Sequence, residues 1–188
     1  SFGGVVGRRM KNGFVRAGYQ YLTIDQGLPG AVILYNNTAD ERLETQKHAA
    51  FADYLFRTKK IDYRIYLNGE NGDLRYIDST FLNNSGGIDV SYNNQSITGG
   101  VTFVMNDWNG IVISGGIEEI ASKLQSTDNS FAQPMRYHNF GLLSMEYSRR
   151  RIKVQIQGSS QYVSERNNNG INAPDRFRIN PFVLFQLK

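Results

Sequence analysis

The chain has 188 residues, a formal net charge of +4 and a pI near 9.3, so it is long enough for one domain with a sizeable core. Cysteine is absent, which excludes disulfides and thiolate metal sites. Hydrophobic residues at 40%, aromatics at 12% and 19 glycines suit many strands joined by loops better than a helical bundle.

Strand-like sequence begins at once, over roughly 2–9, and Ser1-Phe2-Gly3-Gly4 carries no basic-then-apolar leader. After a short turn near Met10–Asn12, the residues Val15, Ala17, Tyr19 and Tyr21 alternate with Phe14, Arg16, Gly18 and Gln20. A long polar loop is expected over Asp25–Lys47. Within it, Ala39-Asp40-Glu41-Arg42-Leu43-Glu44 follows a capping Thr38 and reads as a helical turn or two ending before Ala49. The alternative is one helix running into Phe56, but the aromatics at 51, 54 and 56 suit a strand over 48–57 better.

A turn near Thr58–Lys60 leads to Tyr63, Ile65 and Leu67 alternating with Arg64, Tyr66 and Asn68, and a second long loop is expected over Arg75–Gly87. Val101, Phe103 and Met105 alternate with Thr102, Val104 and Asn106, and the Asp107–Gly110 turn leads to a strand over 111–121. A third long loop, near Gln125–Arg136, precedes Leu143, Met145 and Tyr147, which alternate with Ser144, Glu146 and Ser148. Past a turn at Arg149–Arg151 comes the clearest strand, Ile152–Tyr162. It sets Ile152, Val154, Ile156 and Gly158 against Lys153, Gln155, Gln157 and Ser159. A fourth long loop over Glu165–Asp175 leads to a last strand over 176–188.

About nine strands thus alternate between short turns and long loops. No apolar run approaches the ~18 residues of a membrane-crossing helix. Membrane strands stay open, because alternation keeps their hydropathy low. Short turns on one rim and long loops on the other are the habit of outer-membrane barrels, whose periplasmic turns are short and extracellular loops long. An all-β antiparallel transmembrane barrel segment is therefore the expected fold. An antiparallel sheet with one wet face in a soluble protein explains the alternation equally well and the loop rhythm less well.

Candidate chemical sites are sparse. The basic clusters Arg8/Arg9/Lys11, Arg57/Lys59/Lys60 and Arg149/Arg150/Arg151 fall at turns without interleaved aromatics, which argues against nucleic acid as a partner. His48 and His138 lie in different hairpins without carboxylates at ligand spacing, so structural or girdle roles fit them better than a metal site. No Gly-x-Ser-x-Gly elbow and no phosphate loop occurs. Asp107-x-Asn109-Gly110 lacks the distal Glu of a calcium loop and reads as a tight turn, with Trp108 at an interface. The stretches Asn167–Gly170 and Asn83–Gly87 read as solvated loop tips.

Three groups of motifs resemble the TonB-dependent receptors of the vitamin B12 and siderophore type. The first is Gly27-Leu28-Pro29-Gly30-Ala31-Val32 with Tyr35-Asn36-Asn37 and Arg42-Leu43. The second is Leu74-Arg75-Tyr76-Ile77-Asp78, Phe81-Leu82-Asn83 and Gly86-Gly87-Ile88-Asp89, and the third is Ser164-Glu165 with Ala173-Pro174-Asp175-Arg176-Phe177. The similarity spans most of the chain, from about Val15 to Phe185.

The resemblance implies a 22-strand barrel filled by a plug, of which residues 1–188 would be an internal part, with the plug and the remaining strands lying outside it. It implies import of a scarce nutrient (corrinoid, haem, siderophore or similar) across the bacterial outer membrane. The implied partners are outer-membrane lipid, the small ligand, TonB acting through the plug, and a surface lipoprotein. It implies no catalytic residue and no cofactor. The substrate-loop candidates are Leu28, Pro29 and Tyr35 in the first long loop and Arg75 and Tyr76 in the second. The rival is a soluble lectin-like or phage-structural β-sandwich binding module, for which Tyr63–Gly69 is a fitting strand and turn. A small complete barrel serving as an adhesin or enzyme is a weaker third reading.

Overall fold

A computed structural model describes residues 1–27, 41–79, 87–128, 130–149 and 152–187. They form nine strands: β1 (Phe2–Met10), β2 (Gly13–Gly27), β3 (Arg42–Arg57), β4 (Ile61–Asp78), β5 (Ile88–Trp108), β6 (Ile111–Ser126), β7 (Met135–Arg149), β8 (Ile152–Arg166) and β9 (Arg176–Leu187). All lie in one antiparallel sheet in sequence order. Each strand therefore pairs with its neighbours in the chain, and β1 and β9 are the two edges. The sheet is not closed on itself.

The strands hold their register through the short connections. Met10 pairs with Gly13, Trp108 with Ile111 and Arg149 with Ile152. At the second of these, Asn109 and Gly110 both have positive φ, 55° and 86°. That is the backbone a two-residue primed hairpin needs, and an Asn-Gly pair supplies it at least steric cost. At the 58–60 turn, Thr58 does the work of a cap: its hydroxyl donates to the Ile61 carbonyl at 2.7 Å and receives the Ile61 N–H at 2.8 Å. These connections share one rim, and the 27–42, 78–88, 126–135 and 166–176 connections share the other.

The strands are longer than alternation alone predicts. The expected loop over Asp25–Lys47 gives up Asp25–Gly27 to β2 and Arg42–Lys47 to β3. The helical turn expected across Ala39–Glu44 is not formed at Arg42-Leu43-Glu44, which pair in strand register with Ile77, Tyr76 and Arg75; Ala39 and Asp40 lie outside the described residues. Two neighbours offering complete backbone ladders outweigh a helix propensity of a few tenths of a kcal/mol per residue. Likewise β4 runs on to Asp78 and β5 begins at Ile88, so the second loop is confined to 79–87.

There is no apolar core. No hydrophobic side chain is buried among the described residues, whereas Ile117 is 65% exposed, Ile97 60% and Leu143 59%. A β-sandwich buries such side chains between two sheets. The sandwich expectation fails on that point, because the described residues contain only one sheet.

Candidate functional site

The register sorts every strand residue onto one of two faces. Following pairs across the sheet, Ile65, Val101, Ile117 and Ile179 share a face with Tyr54, Leu67, Phe103, Met145, Val154 and Val183. This apolar face is a continuous belt. Toward the short-turn rim it carries Tyr54, Phe56, Tyr63 and Tyr147; toward the long-loop side it carries Tyr19, Tyr21, His48, Tyr137 and Tyr162. His48 packs against Tyr21 at 4.8 Å and hydrogen-bonds the Tyr19 hydroxyl at 2.6 Å, within an aromatic cluster. Trp108 has its backbone in β5, and its side chain lies outside what the structure describes. Glu119, exposed and paired across to Gly99 and Asn139, and Arg8 of β1, in register with Val15, are the charged groups within the belt among the described residues.

The opposite face is polar and internally paired. Arg16 donates to Asp53, which is 8% exposed, and its guanidinium lies 5.7 Å from the Phe51 ring centre. Arg64 sits 5.4 Å over the Tyr66 ring, while the Tyr66 hydroxyl donates to Glu118. Lys47 meets Glu70 at 2.9 Å, Lys153 meets Glu146 at 3.0 Å and Arg57 meets Asp62 at 3.2 Å. A Cβ on Gly100 would lie 2.5 Å from the Tyr66 ring, so glycine there is a condition for the ring lying flat across the strand. Gln155 and Gln157 lie on this face and Ile152, Val154 and Ile156 on the apolar one, as their alternation predicts.

The sequence-predicted site residues do not converge. Leu28, Pro29 and Tyr35 lie outside the described residues. Arg75 and Tyr76 are in β4 rather than in a loop, and as neighbours in a strand they point to opposite faces. Arg75 is on the belt's face beyond the aromatic residues, held bidentately by Asp89 at 2.8 and 2.6 Å with Glu44 at 3.7 Å. Tyr76 is on the polar face, in register with Leu43 and Val90.

What sequence reading missed is at the long-loop end of the polar face. Arg136 of β7 and Arg176 and Arg178 of β9 border a recess of about 380 Å³. The signal was present as Arg176-Phe177-Arg178, whose i, i+2 spacing puts both guanidiniums on one face. Just outside, the loop closes on a charged clasp. Asp175 accepts from Arg166 at 2.9 Å and from the Tyr162 hydroxyl at 2.8 Å. These bonds, the Arg166 one above all, hold the Asp175 carboxyl at about 2, well below the ordinary carboxylate range. Asp128 in the 127–134 connection is also lowered, by the Ser130 hydroxyl and backbone N–H. Among the described residues no group of His, Asp or Glu could hold a metal ion. The arrangement can recognise a ligand by charge and hydrogen bonding.

No family model and no curated relative matches the chain. Among solved structures, it is similar to the ferric preacinetobactin receptor BauA from Acinetobacter baumannii, with a TM-score of 0.62 at 8% identity. The match covers 97% of this chain and 36% of that one, so the chain spans about a third of the receptor it resembles. At that identity the likeness shows the fold: nine consecutive antiparallel strands arranged as in part of a receptor β-barrel.

Proposed function

We propose that the chain forms part of the wall of a TonB-dependent receptor in the bacterial outer membrane, with its polar face lining the interior and its long loops outside the cell. One observation carries the reading: most of the exposed large apolar residues of the nine strands fall on one face, in a belt bordered by aromatic rings, with Val5, Phe14, Ile24, Val104, Phe140, Phe182 and Leu184 the exceptions on the other, and no second layer covers the belt among the described residues. In water such a surface is an aggregation hazard; against hydrocarbon it is the outward band of a barrel. The open edges at β1 and β9 would then pair with further wall strands, since an unpaired strand edge does not persist in lipid. A plug, energy coupling through TonB and a surface lipoprotein are further parts of this reading. The described site supplies wall contacts to a small nutrient ligand and performs no covalent chemistry.

The test uses the absence of cysteine from this chain. In the full-length protein, Asn168→Cys in a long loop and Asn12→Cys in a short turn are probed in intact cells with a membrane-impermeant maleimide. Labelling at 168 alone, with labelling at 12 only after permeabilisation, is the expected result. Equal labelling of both, or recovery of the protein from the soluble fraction, overturns the reading. Uptake of labelled corrinoid, haem and ferric siderophore in a strain with and without the gene then separates the nutrient classes.

A further inference from the structure

Cations on the polar face follow a rule with three exceptions, all on the edge strands: Arg9 of β1, in register with Phe14, and Arg176 and Arg178 of β9. From β2 to β8 each one is engaged: Arg16 with Asp53, Lys47 with Glu70, Arg57 with Asp62, Arg64 over Tyr66, Arg136 with Glu165 and Lys153 with Glu146. On β9, Arg176 and Arg178 have no acidic partner among the described residues, although they stand in register with Val163 and Gln161, next to the pair Arg136–Glu165. The Arg136 Nη2 and Nε groups both donate to the single Glu165 Oε2, at 2.7 and 3.1 Å. Three guanidiniums and one carboxylate around the recess leave a formal charge of +2.

From this geometry we infer a binding site for an oxyanion group, carboxylate or phosphate, carried by a small ligand that reaches the wall from the long-loop rim. Guanidinium is the side chain suited to it, because its planar fork meets two oxygens of such a group at once. Arg176 and Arg178 are about 7 Å apart along the strand, close enough to share one ligand with two oxygen clusters. Val163 gives the recess an apolar floor, and Gln161, hydrogen-bonded to the His138 ring at 2.8 Å, borders it. The 380 Å³ of space is at the lower end of small-molecule pockets, so it takes the acidic part of a ligand rather than the whole of a large one.

The inference rests on the reading that the polar face lines a barrel interior. Its test is calorimetric titration of the full-length protein in detergent with citrate, with inorganic phosphate, and with uncharged glycerol as control. The Arg176→Gln/Arg178→Gln variant is compared with Arg42→Gln, on the opposite face. Saturable binding of one anion, weakened about tenfold or more in the double variant and unchanged in Arg42→Gln, is expected; citrate against phosphate identifies the source. Equal affinity in the double variant, or no saturable binding of either anion, overturns it. So does a double variant that loses thermal stability while neither anion stabilises the parent protein, since the arginines would then be bonded to carboxylates of a neighbouring wall strand. Outside-only labelling at Asn168→Cys with no anion binding refutes the site alone, and arginine-dependent binding by a protein absent from the outer membrane refutes the receptor reading alone.

Discussion

Replacing Ile117 by Arg tests the lipid-facing assignment most directly. Ile117 is on β6, 65% exposed, with Val101 across on one side and Gly141 on the other. From Ile111 beside the short turn it lies about 20 Å along the strand, which at a tilt of about 40° is about 15 Å of height, near the middle of a band about 25 Å tall. Arginine on the lipid face at that depth costs about 2–4 kcal/mol, and near the boundary about 0–1 kcal/mol. Val154 is on the same face but two positions from the start of β8, beside Tyr147. It therefore sits by the short-turn boundary rather than the midplane, and Val154→Arg should cost the smaller amount. Ser144→Arg, on the polar face between Ser114 and Gln157, should cost least. Guanidinium titration of the full-length protein folded into phospholipid vesicles ranks the three. Equal costs at Ile117 and Val154, or a polar-face variant more damaging than Ile117→Arg, would refute the depth argument and with it the membrane belt.

Three further outcomes are expected. Glu119→Leu removes an exposed carboxylate from the belt and should stabilise the vesicle-folded protein by about 1 kcal/mol; a loss of stability in the same titration would show that the carboxylate has a partner. Gly110→Ala should cost about 1–3 kcal/mol, because φ is +86° and the added Cβ would lie 2.7 Å from the Ser148 carbonyl oxygen; an unchanged unfolding midpoint counts against the hairpin geometry. The Asp175 carboxyl is depressed in the folded protein, so its clasp with Arg166 is fully present above the unfolded carboxylate pKa near 3.9 and is lost as pH falls through about 2. Carboxylate 13C shifts should follow that titration, and a midpoint near 4 would dissolve the clasp.

Much of the fold was legible in the residues because its cause is local. In a strand with one apolar and one polar face, each step of the chain reverses the surroundings, so Ile152, Val154 and Ile156 announce both the strand and its apolar face. Asn109-Gly110 likewise carries the conformation of its own turn. Where both faces of a strand are wet that cause disappears, and the reading stopped short. Arg42–Lys47 and Leu74–Asp78 show no alternation, yet they extend β3 and β4 because backbone groups on adjacent strands complete one another's hydrogen bonds and because Arg75 meets Glu44 and Asp89. Such pairing depends on residues far apart in the chain, and so does the site. Arg75 and Tyr76 are adjacent in sequence and are parted by the pleat, whereas Arg136 and Arg178 are brought together by two strand crossings. Composition and period determined that this is a one-sided apolar sheet. Only the register decided which charges neutralise each other and which two arginines on β9 were left facing the recess.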